Sequence, residues 1–495
     1  MTEPASFLAD DADVPTLRDA VSKLAGIGYS ESRITERLGL EDLTELQWRL
    51  VAIYRSQRLA ARDPLAIAID LFLLQGIIPA GELELLFTAT ERAVLVRAGI
   101  LAIDETGGAR ARASLYPVGN RLIFSDHAWP ELPHPGYVIV PYDQVMKVGL
   151  DSRHLAHCTR RRPVRSALDL CTGSGVHALL ASSHTARVLA VDINPRAARC
   201  TRFNAAVAGA ANLDVVVSDL FEAVRSERFD LITANPPFVP SPVDALHFRD
   251  GGRSGEDVQR RIVAGLPRYL APGGTAQMVT ELGERDGEAL VDRLREWLDG
   301  APMDIHILRL TEHTAMQYAI GHAKGESFQE FVDSVHEWGT NLLAQGYARV
   351  VSLVISFQWT DPACGPPWER VDQAPPPRRA AGAEIDAIFQ AERLARRVDA
   401  DSLKQSLLRR TGPVALLDAS MLGSDLHTKT KVTLLGQALT MEHLLDPIER
   451  EILIRLENPE FSVFRDLDLD EASVLAAVRS LVRDRLVRTD GPRPA

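Results

Sequence analysis

Apolar residues recur at every third and fourth position from Val14 to about Ile100, in LRDAVSKL, ITERLGL, LQWRLVAIYRSQRLA and ELELLFTATERAVLVRAGIL. That period predicts amphipathic helices, broken at Pro64, Pro79 and scattered glycines. The most apolar stretch, PLAIAIDLFLLQGIIP from Pro64 to Pro79, contains Asp70 and Gln75. It falls short of the ~20 residues a membrane span requires, so a buried helix is expected there. From Ala111 the period shortens towards two in RASLYPVG and RLIFSDHAW, with Gly119 and Asn120 between them, a pair suited to a hairpin turn. Helices followed by a small β element have the rhythm of a winged helix.

Between about Arg160 and Trp359, short β-branched runs alternate with helical segments. The strand candidates are Ser166 to Leu170, Arg187 to Asp192, Asp214 to Ser218, Phe229 to Ala234, Thr275 to Glu281, Ile305 to Leu310 and Val350 to Trp359. Alternation of this kind predicts βαβ units and a mostly parallel sheet. DPACGPPWERVDQAPPPRRAAG then reads as a proline-rich linker, followed by helices (EIDAIFQAERLARRV, DSLKQSLLRR, PIEREILIRLE, DEASVLAAVRSLVRDRL) and short strands (PVALLDASM, KVTLLGQAL). The expected organisation is a helical, winged-helix-like domain over 1–150, an α/β domain over 151–360, a linker over 361–383 and a smaller α+β domain over 384–495, also with winged-helix rhythm. A length of 495 residues accommodates it.

Composition narrows the function classes. The chain is 46% hydrophobic and 25% charged, as globular proteins are, which excludes a disordered, collagenous or coiled-coil chain. Lys plus Arg number 55 and Asp plus Glu 67, and the resulting charge of −12 disfavours a protein that coats nucleic acid by counterion release alone. The Arg-rich runs RRRPVR and PPPRR remain as local basic patches. Cys158, Cys171, Cys200 and Cys364 have no CxxC spacing, so neither a disulfide framework nor a metal site is expected. His154, His157 and Cys158 lack a fourth ligand in range. The acidic start MTEPASFLADDADVP does not resemble a signal peptide, and a cytoplasmic protein with no membrane partner is the expectation.

The candidate chemistry sits at strand ends. Ala167 to Val176 (ALDLCTGSGV) is a strand entering a small-residue turn and then a helix, a geometry that brings a ligand close to backbone N–H groups. An ordinary strand-to-helix turn is the plainer reading of that segment alone. The next strand ends in VDINP, placing Asp192 23 residues after Asp169, where an acidic side chain accepts hydrogen bonds from ribose hydroxyls. By itself Asp192 reads equally well as a helix N-cap. A third strand ends in VSDLF, with Asp219 placed to take an adenine amino group. A fourth ends in FDLITANPPFV, delivering Asn235.

Together these four motifs resemble the class I S-adenosylmethionine-dependent methyltransferases, and among them the branch carrying Asn-Pro-Pro-aromatic. That branch includes protein-glutamine N-methyltransferases, rRNA guanine-N2 methyltransferases and adenine-N6 DNA enzymes. The likeness covers about Arg160 to Trp359 and continues into FRDGGRSGED after the motif, as in the glutamine-methylating group. It implies a Rossmann-like seven-stranded core that binds S-adenosyl-L-methionine through Asp169, Cys171, Thr172, Gly173, Gly175, Asp192, Ile193, Asp219, Leu220 and Asn235. It implies a catalytic loop of Asn235, Pro236, Pro237 and Phe238. One departure is Cys171, where most members have glycine, although cysteine also occurs in some glutamine-methylating relatives. The flanking domains depart more widely from the family pattern.

The loop suits an amide or exocyclic amine because such a nitrogen has a delocalised lone pair and must be oriented to react. The Asn235 side-chain oxygen and the Pro236 carbonyl can each accept one N–H, and Phe238 can stack on a flat group. The nitrogen loses its proton after the methyl transfers, so no strong base is required. A rigid turn is the structural alternative for the loop. His177, Asp250, Arg253 and the segment Val148 to Ser152, expected near the methionine end of the cofactor, are secondary candidates. The main expectation is N-methylation of a protein or RNA. The alternatives are a small-molecule or peptide methyltransferase, and a DNA-binding regulator that senses the cofactor.

Overall fold

The N-terminal periodicity resolves into α1 (Val14–Gly26), α2 (Glu31–Leu38), α3 (Pro64–Phe72) and α4 (Ala89–Arg97) in the computed structural model of the protein. It describes residues 5–127, 143–224, 227–243, 248–421, 427–458 and 461–492. The last two residues of RLIFSDHAW lie outside them. The apolar run forms α3 as expected, begun by Pro64 in the first turn and capped by the Asp63 carboxylate on the Ala66 N–H. Its carboxylate Asp70 is buried, and Arg55 and Arg62 each donate to it at 2.7 Å, compensating the lost hydration. A small hairpin of β1 (Leu101–Ile103) and β2 (Ala109–Ala111) precedes the expected one, β3 (Ser114–Val118) and β4 (Arg121–Ser125). Val118 pairs with Arg121, leaving Gly119 and Asn120 as the two-residue loop.

The chain folds into two compact units, one of residues 1–156, 162–301 and 312–358 and the other of 157–161, 302–311 and 359–495. In the first, α5 (Leu150–Cys158) leads into β5 (Val164–Leu170), α6 (Val176–Ser182), β6 (Thr185–Asp192), α7 (Pro195–Ala208), β7 (Leu213–Val217) and β8 (Phe229–Ala234). Then follow α8 (Asp257–Tyr269), β9 (Leu270–Arg285), α9 (Leu290–Trp297), β10 (Met303–Thr314), α10 (Ala315–His322), α11 (Phe328–Ala344) and β11 (Tyr347–Trp359). All seven strand candidates are strands. The first unit orders six of them β11-β9-β8-β5-β6-β7, parallel except for the β9–β11 pair. Most of β10 belongs to the second unit. Sequence order reverses between β5 and β8, and the crevice beyond the carboxyl ends of those strands is where open α/β sheets bind ligands.

The N-terminal residues and the nucleotide-type core share one interior. T-shaped ring contacts run Tyr29–Phe72–Phe124–Phe203 with centroids 6.4, 6.1 and 5.6 Å apart, from the turn between α1 and α2 through α3 and the hairpin to α7. Val176, Leu179 and Leu180 of α6 and Ala197, Cys200 and Phe203 of α7 lie in the same cluster. Polar bonds fix the register. The Asn204 side chain accepts from the Phe124 N–H at 2.9 Å and donates to the carbonyls of Phe124 and Ser174, both at 2.8 Å. Arg196 forms a buried bidentate pair with Asp126, one arm at 2.6 Å, and also donates to the Ala5 carbonyl.

The second unit holds a parallel pair of β10 with β12 (Glu369–Gln373), so the proline-rich segment contains a strand. It continues through α12 (Gly382–Arg397), α13 (Ala400–Gln405), β13 (Ser406–Arg410), β14 (Val414–Met421), β15 (His427–Leu434), β16 (Glu442–Leu445), α14 (Pro447–Arg455), α15 (Glu471–Arg483) and β17 (Val487–Pro492). DSLKQSLLRR, expected as one helix, divides after Gln405 because Ser406–Arg410 pairs antiparallel with β17. Long-range pairing there overrides a helical local pattern.

The Arg196–Asp126 pair gives a stability prediction for the first unit. Arg196→Ala strands a buried carboxylate and should lower unfolding free energy by about 3–5 kcal/mol in urea titration. Arg187→Ala, which removes the half-exposed partner of Glu227, should change it by less than about 1 kcal/mol.

Candidate functional site

The turn after β5 is shaped by backbone conformation and close packing. Cys171 has φ +54°, in the left-handed region that glycine adopts freely, which accounts for the usual glycine at that place. Gly175 has φ +84°, and a Cβ there would lie 2.8 Å from Thr201 Cγ2, so α6 and α7 approach only over a glycine. Asp169 sits beneath, 1% exposed. Its carboxylate accepts from the Thr172 hydroxyl at 2.6 Å, the Ala178 N–H at 3.1 Å and the Thr233 hydroxyl at 2.7 Å. Burial nonetheless pushes its pKa up to about 6. The Cys171 thiol is also driven well upward, by burial and by Asp192, Asp169 and Asp219, and stays protonated at neutral pH.

A cavity of about 230 Å³ opens over this turn, bordered by Cys171, Thr172, Gly173, Asp192, Ile193, Asp219, Leu220, Asn235 and Pro237 among the residues expected from sequence. Asp169, Gly175, Pro236 and Phe238 lie outside its lining. Asp192 does not cap α7, since Asn194 does so by accepting from the Arg196 N–H. Instead Asp192 receives the Gly173 N–H at 2.8 Å and the Asn194 N–H at 2.9 Å, one on each oxygen. Asp219 is held at 2.8 Å by Arg261 of α8, which also borders the cavity. Adjacent strand ends thus present two carboxylates beside a turn closely apposed to the cavity, a donor and acceptor set that fits the adenosine part of S-adenosylmethionine.

Asn235 lies at the other side of the crevice. Its Nδ2 donates to the Ser152 hydroxyl at 3.2 Å, and Ser152 borders the cavity too. The loop it begins is gripped by the Asp-Gly-Gly segment: Val239 N–H donates to the Arg249 carbonyl at 2.9 Å and Gly251 N–H to the Val239 carbonyl at 3.0 Å. A Cβ on Gly251 would stand 2.8 Å from the Pro237 carbonyl oxygen, so this contact also requires glycine. Asp250 is buried and receives the Arg249 side chain at 2.7 Å, whereas the Arg253 side chain is exposed. Phe238 is 8% exposed and packs with Tyr318, Trp338 and Leu342. The aromatic ring bordering the cavity is Phe248.

Further polar groups stand near this loop that sequence reasoning did not single out. Met278 of β9 pairs with Ala234, which brings Glu281 to the same edge of the sheet as Asn235. Glu281 accepts from the Tyr318 hydroxyl at 2.6 Å. Burial, reinforced by Asp151, pushes its pKa up to about 7, and burial raises Asp151 to about 6. Glu281 lies within an ordinary strand pattern, and Tyr318 stands 37 residues further along the chain, so no local signal joins them.

The segment 146–296 matches the family model described as "Methyltransferase small domain". A ribosomal protein uL3 glutamine methyltransferase of Bordetella pertussis is 38% identical over 164 residues, covering 30% of this chain and 54% of that protein. Its counterpart from Bradyrhizobium diazoefficiens is 40% identical over 146 residues, covering 26% and 43%. A release factor glutamine methyltransferase of Cereibacter sphaeroides is 35% identical over 155 residues, covering 28% and 54%. The chain spans about half the length of these curated relatives. The matched region contains LDLCTGSG, AVDINP, SDLF and NPPF, the motifs that carried the resemblance. No helix among the described residues is long and apolar enough to cross a membrane.

The raised Glu281 pKa gives a pH prediction. A carboxyl whose folded value is raised from 4.5 to about 7 favours the folded state most below pH 4.5, and that contribution is lost as pH rises to 7. Glu281→Gln should therefore remove a downward component of the stability profile between pH 5 and 7, worth on the order of 2–3 kcal/mol. Urea midpoints measured across that range for the wild type and the variant check it.

Proposed function

We propose that the chain is a cytoplasmic S-adenosylmethionine-dependent methyltransferase that methylates the side-chain amide nitrogen of glutamine in a protein substrate. The observation that carries this reading is the placement of the Asn-Pro-Pro loop across one crevice from the Asp192–Asp219 edge, with Asn235 bordering the same cavity as both carboxylates. The likeness to enzymes named for glutamine in ribosomal protein uL3 and in release factors supports an amide over a nucleobase. So does the charge of −12, which favours a basic protein partner over a phosphate backbone. In this reading Asp192 holds the ribose hydroxyls, Asp219 lies beside the adenine, and the Cys171–Gly175 turn carries the backbone past the cofactor.

The cofactor supplies an electrophilic sulfonium methyl. The chain's own task is orientation. The Asn235 oxygen and the Pro236 carbonyl accept the two N–H groups of the substrate carboxamide and fix its plane, so that the nitrogen lone pair faces the methyl. The Asp-Gly-Gly segment keeps that loop in place, and Phe248 offers an aromatic wall to the flat amide. Once methylated, the nitrogen is acidic and releases its proton to solvent or to a nearby carboxylate. Residues 5–127, which precede the matched segment within the same unit, offer surface for the protein around the target glutamine.

The test is transfer of label from methyl-labelled S-adenosylmethionine to lysate separated into protein, RNA and small-molecule fractions. Label is expected in the protein fraction, as N-methylglutamine after digestion, and Asn235→Ala should reduce it by about a hundredfold or more. Label confined to RNA or to small molecules would overturn the glutamine assignment.

A further inference from the structure

An asparagine carboxamide is nearly symmetric in shape but opposite in function at its two ends. With the oxygen turned to the acceptor site it binds a substrate N–H; with the NH₂ turned there it opposes one. A side chain that holds Asn235 is therefore placed to act on the acceptor site, and Ser152 bonds to it. Ser152 is 7% exposed, and its hydroxyl receives the Asn235 Nδ2 at 3.2 Å. A hydroxyl both accepts and donates, so the bond tethers the carboxamide at the cavity edge without choosing which of its ends faces the substrate.

The serine is itself held in place. It stands in the first turn of α5, and the next residue, Arg153, is 3% exposed. Arg153 forms an ion pair with Glu31 of α2 and donates to the Pro117 carbonyl of β3 at 3.3 Å. The helix pair and hairpin at the N-terminus thus anchor α5, and α5 presents Ser152 to the acceptor loop. We propose that Ser152 is a positioning residue for methyl transfer, tethering the Asn235 carboxamide at the edge of the cavity, and that the N-terminal residues complete the acceptor site through Arg153. This rests on the reading of the loop given above.

The contact can be examined without substrate. In protein labelled with ¹⁵N-asparagine, the Asn235 side-chain NH₂ signals are identified by their loss in Asn235→Ala. One of the two protons should be shifted downfield and slow to exchange in the wild type. That signature should vanish in Ser152→Ala and persist in Ser152→Thr, which keeps the hydroxyl. Label transfer into lysate protein should fall about ten- to hundredfold in Ser152→Ala and recover in Ser152→Thr.

Asn235 signals unchanged in a folded Ser152→Ala variant would overturn the proposal, as would full label transfer by that variant beside an active wild type. If the wild type itself transfers no label while the NMR signature depends on Ser152, the methyl-transfer reading fails and the positioning role fails with it.

Discussion

The two halves of the site are held together by one buried carboxylate. Asp169 binds the Thr172 hydroxyl in the turn after β5, the Ala178 N–H in the helix that follows, and the Thr233 hydroxyl two residues before Asn235. Its three bonds join the turn beneath the cavity to the strand that carries the acceptor loop, across the place where strand order reverses. A charged group so buried is costly unless hydrogen-bonded, and here the compensating donors are the parts that must not move relative to one another. The separation between the turn beneath the cavity and the Asn235 loop is then a property of the sheet.

A second constraint acts from outside the sheet. The N-terminal residues share a core with α6 and α7 and grip α7 through Arg196–Asp126 and the Asn204 bonds, so α6 packs between that core and the strands. The same region reaches the acceptor side through Glu31, Arg153 and α5. Rigidity on both flanks suits a reaction in which the protein supplies orientation more than acid–base chemistry.

Strand-end chemistry was the legible part of this chain. The four motifs fall at consecutive strand ends, and the seven strands, the Gly-Asn hairpin and the buried helix at Pro64 follow from local periodicity and turn chemistry. What escaped was set by pairing over distance. Ser406–Arg410 leaves a helix because β17 offers it a ladder, and β12 forms inside a proline-rich segment because β10 lies beside it within the same unit. Phe238 illustrates the same limit. Its place in the motif suggests a ring facing substrate, but α10 and α11 supply Tyr318, Trp338 and Leu342 around it, and Phe248 borders the cavity instead. No spacing in the sequence distinguishes those two phenylalanines.

The Asp-Gly-Gly segment shows why such details decide specificity. Val239 and Gly251 bond backbone to backbone, and Asn341 of α11 donates to the carbonyls of Pro240 and Arg253 at 3.2 and 2.9 Å. The Asn235 loop is therefore stitched to a segment on one side and a helix on the other, while the Asp169 knot is internal to the sheet. Changes in α10 and α11 can reshape the wall around the acceptor without disturbing the cofactor turn. In the proposed reading, the elements that shape the acceptor side are thereby distinct from those that hold the cofactor turn.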